Sequence, residues 1–331
     1  MLTSRTRFLI FSSWAIFLLL WGCSKVPSHK LEVVPFTLNV KNVNPAHYFR
    51  RVTDFNITQD NGFVITDIDG PGVLRFDSEG NFINNIAGYG SGNYEALCSA
   101  TPVDSLIAIH TFGLIELFTD KAKPVRRYFM RGRGDVFFAP NGDYVINRMY
   151  DSFRFGHCLE TYDASGKLIK QFRSPRASGE DDAILDFAFC GIADSNKIFY
   201  LPAIGDSGFV YDWDGNLILA KKIKSKLKPY QLKDGRPGPL IEDAFVNEEG
   251  IFVVRVNKKL SKEEIVYFDL IEQYDFNLDL VASFHLEEPL TMSMQTDFYS
   301  PWYHKFCYKN GVFYFIISQP YEQFIALKVK N

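Results

Sequence analysis

The chain has 331 residues, with 36 basic and 39 acidic side chains and a net charge of −3. Hydrophobic residues make up 47% and charged residues 23%, which excludes a disordered or collagen-like chain; the near-neutral balance gives no electrostatic case for nucleic-acid binding. Aromatic residues reach 16%, with 31 Phe and 17 Tyr, a level that favours strands, while length alone suggests about two domains of roughly 150 residues each.

The N-terminus carries Arg5 and Arg7, then a run from Phe8 to Trp21 that is apolar except for Ser12 and Ser13. Charge followed by a short apolar run is the pattern of a secretory signal, and the run is shorter than the about 20 residues of a transmembrane helix. It ends in Leu20-Trp21-Gly22-Cys23. Leu20, Gly22 and Cys23 resemble the lipobox of bacterial lipoproteins, whereas Trp21 stands where that motif usually has a small or β-branched residue. The resemblance implies a signal peptide at 1–22, a lipidated Cys23 and a membrane lipid anchor. Ser24, in place of Asp, implies by the same resemblance the outer membrane, facing the periplasm. Residues 23–30 read as the lipidated cysteine and a short flexible tether. An uncleaved membrane anchor is the other reading, and it too puts the chain outside the cytoplasmic membrane.

The rest of the chain repeats. One phrase runs aromatic, Asp, two variable residues, Gly, then a polar and several apolar residues. It occurs at Phe76–Ile83, Tyr162–Ile169 and Tyr211–Ile218, with a degenerate copy at Tyr274–Val281. Asp can accept hydrogen bonds from the amides of its own turn and Gly can supply a positive φ, so each copy predicts a tight hairpin. A second phrase, a polar turn followed by a β-rich run, is marked by Gly62, Asp104, Gly142, Asn196, Gly250 and Gly311, at spacings of 42, 38, 54, 54 and 61. Two turns per unit predict four strands per unit, and six units predict a six-bladed β-propeller of about 40–50 residues per blade plus insertions. A large β-sandwich is the competing all-β architecture, but it does not call for six equal units. No long amphipathic helix pattern interrupts the chain.

The two phrases, the lipobox and Gly88-Tyr89-Gly90-Ser91-Gly92 after the first unit resemble the NHL-like and TolB-like six-bladed propellers, especially the lipid-anchored ones of the bacterial envelope. The resemblance spans residues 31–331 and is specific for architecture. By the family's strand order the first blade runs from about Arg51 to Ala87. The last has strands near Tyr303–Lys309, Val312–Ser318 and Phe324–Val329 and lacks a fourth. Leu31–Val40 is β-rich and is predicted to supply it, as an edge strand that closes the ring and tolerates Pro35.

The loops that enter the inner strands form one face, the usual ligand site of a convergent-loop fold. Candidate residues there are Arg50, Arg51, Asp54, Glu95, Arg133, Asp135, Asp186, Asp243, Trp302, Tyr303 and His304. A mixed ring of charges can hold a polar ligand or a metal, or pair internally around a water-filled channel, which is the reading preferred here. The aromatic loop with Trp302 and Tyr303 can stack on a sugar or anchor a partner, or pack over the last blade. The six histidines show no metal-ligand spacing, no nucleophile elbow or Ser/His/Asp set stands out, and Glu180-Asp181-Asp182 lacks the calcium-loop spacing. No cofactor is expected. Cys98, Cys190 and Cys307 fall on predicted inner strands and read as small packing residues; with Cys158 they leave three pairings open. Five lysines within 221–228 read as a solvated loop. These readings point to a monomeric, lipid-anchored binding or scaffold propeller with a protein, peptide or glycan ligand and no nucleic acid; the alternative is a propeller hydrolase or lyase with a metal in the channel.

Overall fold

The computed structural model describes residues 26–39, 49, 52–88, 97–111, 113–132, 134–176, 178–179, 185–194, 196–223, 240–257, 265–293, 306–317 and 323–330. The segment expected to be a signal peptide and Cys23 lie outside them.

Strand β1 (Ser28–Val34) precedes four antiparallel four-stranded sheets. The first holds β2 (Val52–Ile57), β3 (Phe63–Asp67), β4 (Gly72–Phe76) and β5 (Phe82–Ala87). The second holds β6 (Leu97–Val103), β7 (Leu106–Thr111), β8 (Leu114–Thr119) and β9 (Pro124–Phe129). The third holds β10 (Asp135–Phe138), β11 (Tyr144–Asn147), β12 (Leu159–Tyr162) and β13 (Leu168–Phe172). The fourth holds β14 (Ala188–Asp194), β15 (Lys197–Pro202), β16 (Ser207–Tyr211) and β17 (Leu217–Lys222). A fifth sheet contains β18 (Ile241–Asn247), β19 (Gly250–Asn257), β20 (Ile265–Tyr274), β21 (Leu280–Ser293), β22 (Phe306–Lys309), β23 (Val312–Ile317) and β24 (Gln323–Val329) together with β1. Its order is β18-β19-β20-β21-β1-β24-β23-β22.

The first strands neighbour one another in a cycle: β2 meets β6, β6 meets β10, then β14, β18 and β22 follow, and β22 returns to β2. Hydrophobic clusters fill the junctions of this cycle. Val64 and Val73 meet Ile107 and Ile109 between the first two sheets, and Phe55, Phe63 and Ile65 meet Cys307 and Ile316 where the ends of the chain come together. Burial of each such Phe or Ile contributes about 1.5–3 kcal/mol. Middle strands are buried throughout, as in β3, while β9 is exposed at five of its six positions. Radial sheets around a central axis, with buried middles and wet outer strands, make a β-propeller.

The first turn phrase does what its residues require. The Asp163 carboxylate accepts from the amides of Ser165 and Lys167 at 2.9 and 3.0 Å, and Gly166 has φ +87°. Asp77 and Asp212 repeat this with Gly80 at +82° and Gly215 at +78°. The degenerate copy folds alike, with Asp275 accepting from Asn277 and Asp279 and Leu278 held at +59°. Thr119 to Lys123 form a fifth copy, with Ala122 at +62° and the Thr119 hydroxyl in the aspartate's place; sequence reading passed over it because neither key residue is present.

Two expectations change. Four separate four-stranded sheets form instead of six, because β21 and β1 pair in parallel, from Ser28 opposite Ser283 to Leu31 opposite Leu286, and fuse the remaining eight strands. The N-terminal strand does pair antiparallel with β24, Leu31 to Val34 facing Val329 to Ala326. It begins at Ser28 inside the expected tether, however, and stops before Pro35, which cannot extend a hydrogen-bonded ladder. It is also no edge, being paired on both sides. At the polar turn before β3 the positive φ falls on Asn61 (+64°).

Candidate functional site

Antiparallel pairing sets which residues reach the upper face, where the inner strands begin. Bulges between Val52 and Asp54, Leu97 and Ser99, and Ile241 and Asp243 place Asp54, Ser99 and Asp243 at matching positions of β2, β6 and β18. Asp54 Oδ1 accepts from the Phe55 amide at 2.9 Å, and Oδ2 accepts from the Ala100 amide of the next sheet at 3.0 Å. Asn56 Nδ2 donates to the Ala100 carbonyl at 3.1 Å, so both polar groups of Ala100 are gripped from the neighbouring strand. Asn147 Nδ2 reaches the Ala188 carbonyl at 2.8 Å in the same way. A hydrogen bond contributes about 0.5–1.5 kcal/mol net, and the bond to Ala100 makes Asp54 a latch between sheets as well as a wall of the channel.

The channel encloses a cavity of about 220 Å³ bounded by Asp54 and Asn56 of β2, Ser99 and Thr101 of β6, Asp135 of β10, Cys190 of β14, and Phe245 and Phe306. At about 30 Å³ per water it holds roughly seven waters, below the roughly 300–1,000 Å³ of sites that enclose a drug-sized ligand. It suits a small polar group or the tip of a larger ligand. Ser99 Oγ lies 2.6 Å from His110 Nδ1, both buried.

Of the candidate residues, Asp54 and Asp135 stand on the cavity wall. Asp186 and Asp243 are buried but do not line it. Asp243 Oδ1 accepts from the Ala244 amide at 2.8 Å, while Asp186 accepts from the Ser152 hydroxyl and the Arg176 amide, both at 2.7 Å. Arg50, Arg51, Glu95, Arg133, Trp302, Tyr303 and His304 lie outside the described residues, as do 224–228. Cys190 and Cys307 are free and buried on β14 and β22, and Cys98 lies on β6 with its side chain outside the described set. Burial raises the Cys158 thiol to about 12 and those of Cys190 and Cys307 well above their ordinary value, so they remain protonated at neutral pH. Among the described residues no group of three or more His, Cys, Asp or Glu could hold a metal ion.

No family model matches the chain and no curated protein matches it in sequence. Solved structures do. A candidate exported protein of Bacteroides fragilis is 12% identical, with a TM-score of 0.58 over 93% of this chain and 100% of that one. A member of the DUF4221 family from Bacteroides vulgatus is 13% identical, with a TM-score of 0.56 over 92% and 99%. A catalytically inactive variant of virginiamycin B lyase from Staphylococcus aureus, solved with quinupristin, is 10% identical, with a TM-score of 0.50 over 91% and 99%. At such identities the likeness carries the fold alone, and that fold is a β-propeller.

Sequence reading missed one part of this face. Between β11 and β12 the chain does not turn tightly but makes a 3-10 turn at Met149–Asp151 and a helical turn, α1 (Ser152–Phe155). Asp135 pairs opposite Asn147, so this insertion emerges where β10 begins, on the upper face. The available signal was the missing turn phrase between two β-rich runs, from Arg148 to Cys158.

Proposed function

We propose that the chain is an exported six-bladed propeller, lipid-anchored through Cys23 to the outer membrane and facing the periplasm, that binds a protein, peptide or glycan partner on its upper face as a monomer. The six-blade reading counts the eight-stranded sheet as two blades. The cycle of six first strands supports it, as do five copies of one turn and the pairing of β1 with β24 where the sixth copy would stand. The observation that carries the binding reading is the channel cavity, which sets Asp54, Asn56, Ser99, Thr101 and Asp135 among apolar walls such as Phe245 and Phe306 and is sized for the tip of a partner.

Two experiments test these readings. Palmitate labelling and fractionation should find the wild-type chain labelled and membrane-bound, and Cys23→Ser unlabelled; an unlabelled, soluble wild type overturns the anchor. In capture from detergent-solubilised envelope, Asp135→Asn and the Trp302→Ala, Tyr303→Ala pair should each lose the partner that wild type retains. Capture by those variants at wild-type level overturns the binding face. A stoichiometric calcium or zinc that survives dialysis would turn the reading to a hydrolase or lyase.

A further inference from the structure

The insertion between β11 and β12 roofs a second depression on the upper face, with a volume of about 530 Å³, inside the roughly 300–1,000 Å³ range of ligand pockets. Arg131, Arg154, Phe155, His157 and Gln171 line it, and Asp151 closes one side. Arg131 and Arg154 are exposed, and Arg154 Nη1 lies 3.7 Å from Asp151 Oδ1.

A buried network holds these walls. Arg148 and Glu160, 1% and 2% exposed, are paired. Glu160 also receives the Tyr162 hydroxyl at 2.7 Å and lies 2.6 Å from His157 Nε2, with Gln171 Nε2 donating at 3.4 Å. Burial pushes the Glu160 carboxyl up, but bonding to and charge from Arg148, with the bonds from His157 and Tyr162, outweigh it and hold the group below its ordinary value. Glu160 is therefore ionised, with its charge spent inside the wall. Arg148 Nη1 donates to the Arg131 carbonyl at 2.5 Å, and its guanidinium stacks 4.5 Å from the Phe155 ring centroid. One cation thus fixes both the backbone of one rim and the aromatic of the other. Gly132 keeps the rim close: a Cβ there would stand 2.6 Å from Phe155 Cζ.

We propose that this depression is a binding site for an oxyanion, a carboxylate or phosphate group, held between the guanidiniums of Arg131 and Arg154. Two exposed arginines and one carboxylate, Asp151, line the depression, while Glu160 is bonded within the wall; planar guanidinium forks suit the paired oxygens of such a group. The site is separate from the channel cavity, and it stands or falls independently of the partner proposed there.

The test titrates the full chain, solubilised in detergent, at low ionic strength with inorganic phosphate in one arm and galacturonate in the other. Saturable one-to-one binding is expected in at least one arm, and the tighter arm identifies the source of the oxyanion. Arg131→Gln with Arg154→Gln should weaken it at least tenfold, and each single charge reversal, Arg131→Glu or Arg154→Glu, should do the same. Both side chains are exposed, so circular dichroism and melting temperature should not move. Asp135→Asn, in the channel, should leave the affinity unchanged. No saturable binding in either arm, or equal affinity in the double variant, overturns the proposal.

Discussion

In the sheet region β18–β21, Arg255 Nε donates to Glu272 Oε2 at 2.6 Å and its Nη2 to the Tyr274 hydroxyl at 2.7 Å, which in turn donates to Glu272 at 2.7 Å. In the sheet β10–β13, Arg148, Glu160 and Tyr162 form the same buried group. Register explains the match. In each sheet the glutamate lies two residues before the tyrosine that precedes the turn aspartate, Asp275 or Asp163. The arginine stands two residues past the partner of that glutamate, Val253 for Glu272 and Ile146 for Glu160. What differs is the sequel on the second strand. Arg255 continues the ladder of β19, whereas Arg148 begins an insertion that adds His157 and, with Gln171 of β13, lines a pocket. The same ion pair is internal support in one place and the foundation of a binding wall in the other, and the length of one connection decides which.

Glu272→Gln should give the largest effect. Removing one partner of a buried pair leaves an uncompensated charge and costs about 3–5 kcal/mol, and Arg255 is 1% exposed. Urea denaturation measures it, and a loss under about 1 kcal/mol would mean that Arg255 rehydrates, contrary to its burial.

Glu160→Gln should come next, with a smaller loss. Arg148 keeps its bond to the Arg131 carbonyl and its stacking on Phe155, and pocket water can reach His157. Its own signature is a joint fall of stability and of anion affinity, since the Arg131 rim loosens. Equal stability losses in the two variants, with anion affinity intact, would break the comparison.

The turns were legible in sequence because their demands are local: an aspartate acceptor and a residue that tolerates positive φ. That logic failed at Thr119–Lys123, where the sheet holds Ala122 in the left-handed region without the usual residues. The parallel pairing of β1 with β21 was not legible because it is made by backbone groups of Ser28-His29-Lys30, whose side chains do not announce a strand. For the site, their place where loops enter the inner strands was enough to put Asp54 and Asp135 at the channel, but Asp186 was drawn to Ser152 of an unforeseen insertion. The two triads were missed because single charges in a strand read as a solvated face. The cue was Glu two residues before the turn aromatic, which recurs as Glu116 before Phe118; Glu116 too is buried and pairs with Arg127 at 2.7 Å.

The two sheets also close their outer hairpins differently, with Gly166 in one and Leu278 in the other. Leu278 is 2% exposed within the core cluster. Leu278→Gly relieves about 1–2 kcal/mol of left-handed strain but forfeits burial of the side chain at about 2–5 kcal/mol, for a net loss of roughly 1–3 kcal/mol. Gly166→Ala adds about 1–2 kcal/mol of strain and sets a Cβ 2.6 Å from Tyr128 Cδ1. Thermal melts of both variants decide the matter; a stabilised Leu278→Gly would show that strain, not burial, governs that turn.

The smallest effect separates the charge of a turn aspartate from its role as acceptor. Bonding from the Ser165 side chain and the Lys167 amide lowers the Asp163 carboxyl, and the Asn81 amide does so for Asp77. Each carboxylate is thus held more tightly folded than unfolded. A folded value below the unfolded one adds stability that is complete above the unfolded value, near 3.8, and is lost as pH falls through the folded value. Asp163→Asn keeps an oxygen that accepts the same amide bonds but cannot titrate. Its melting temperature at pH 7 should fall slightly, and the gap to wild type should close as pH drops from 5 to about 3, because wild type alone loses this contribution. A gap that stays constant over that range would mean that the turn depends on geometry rather than charge.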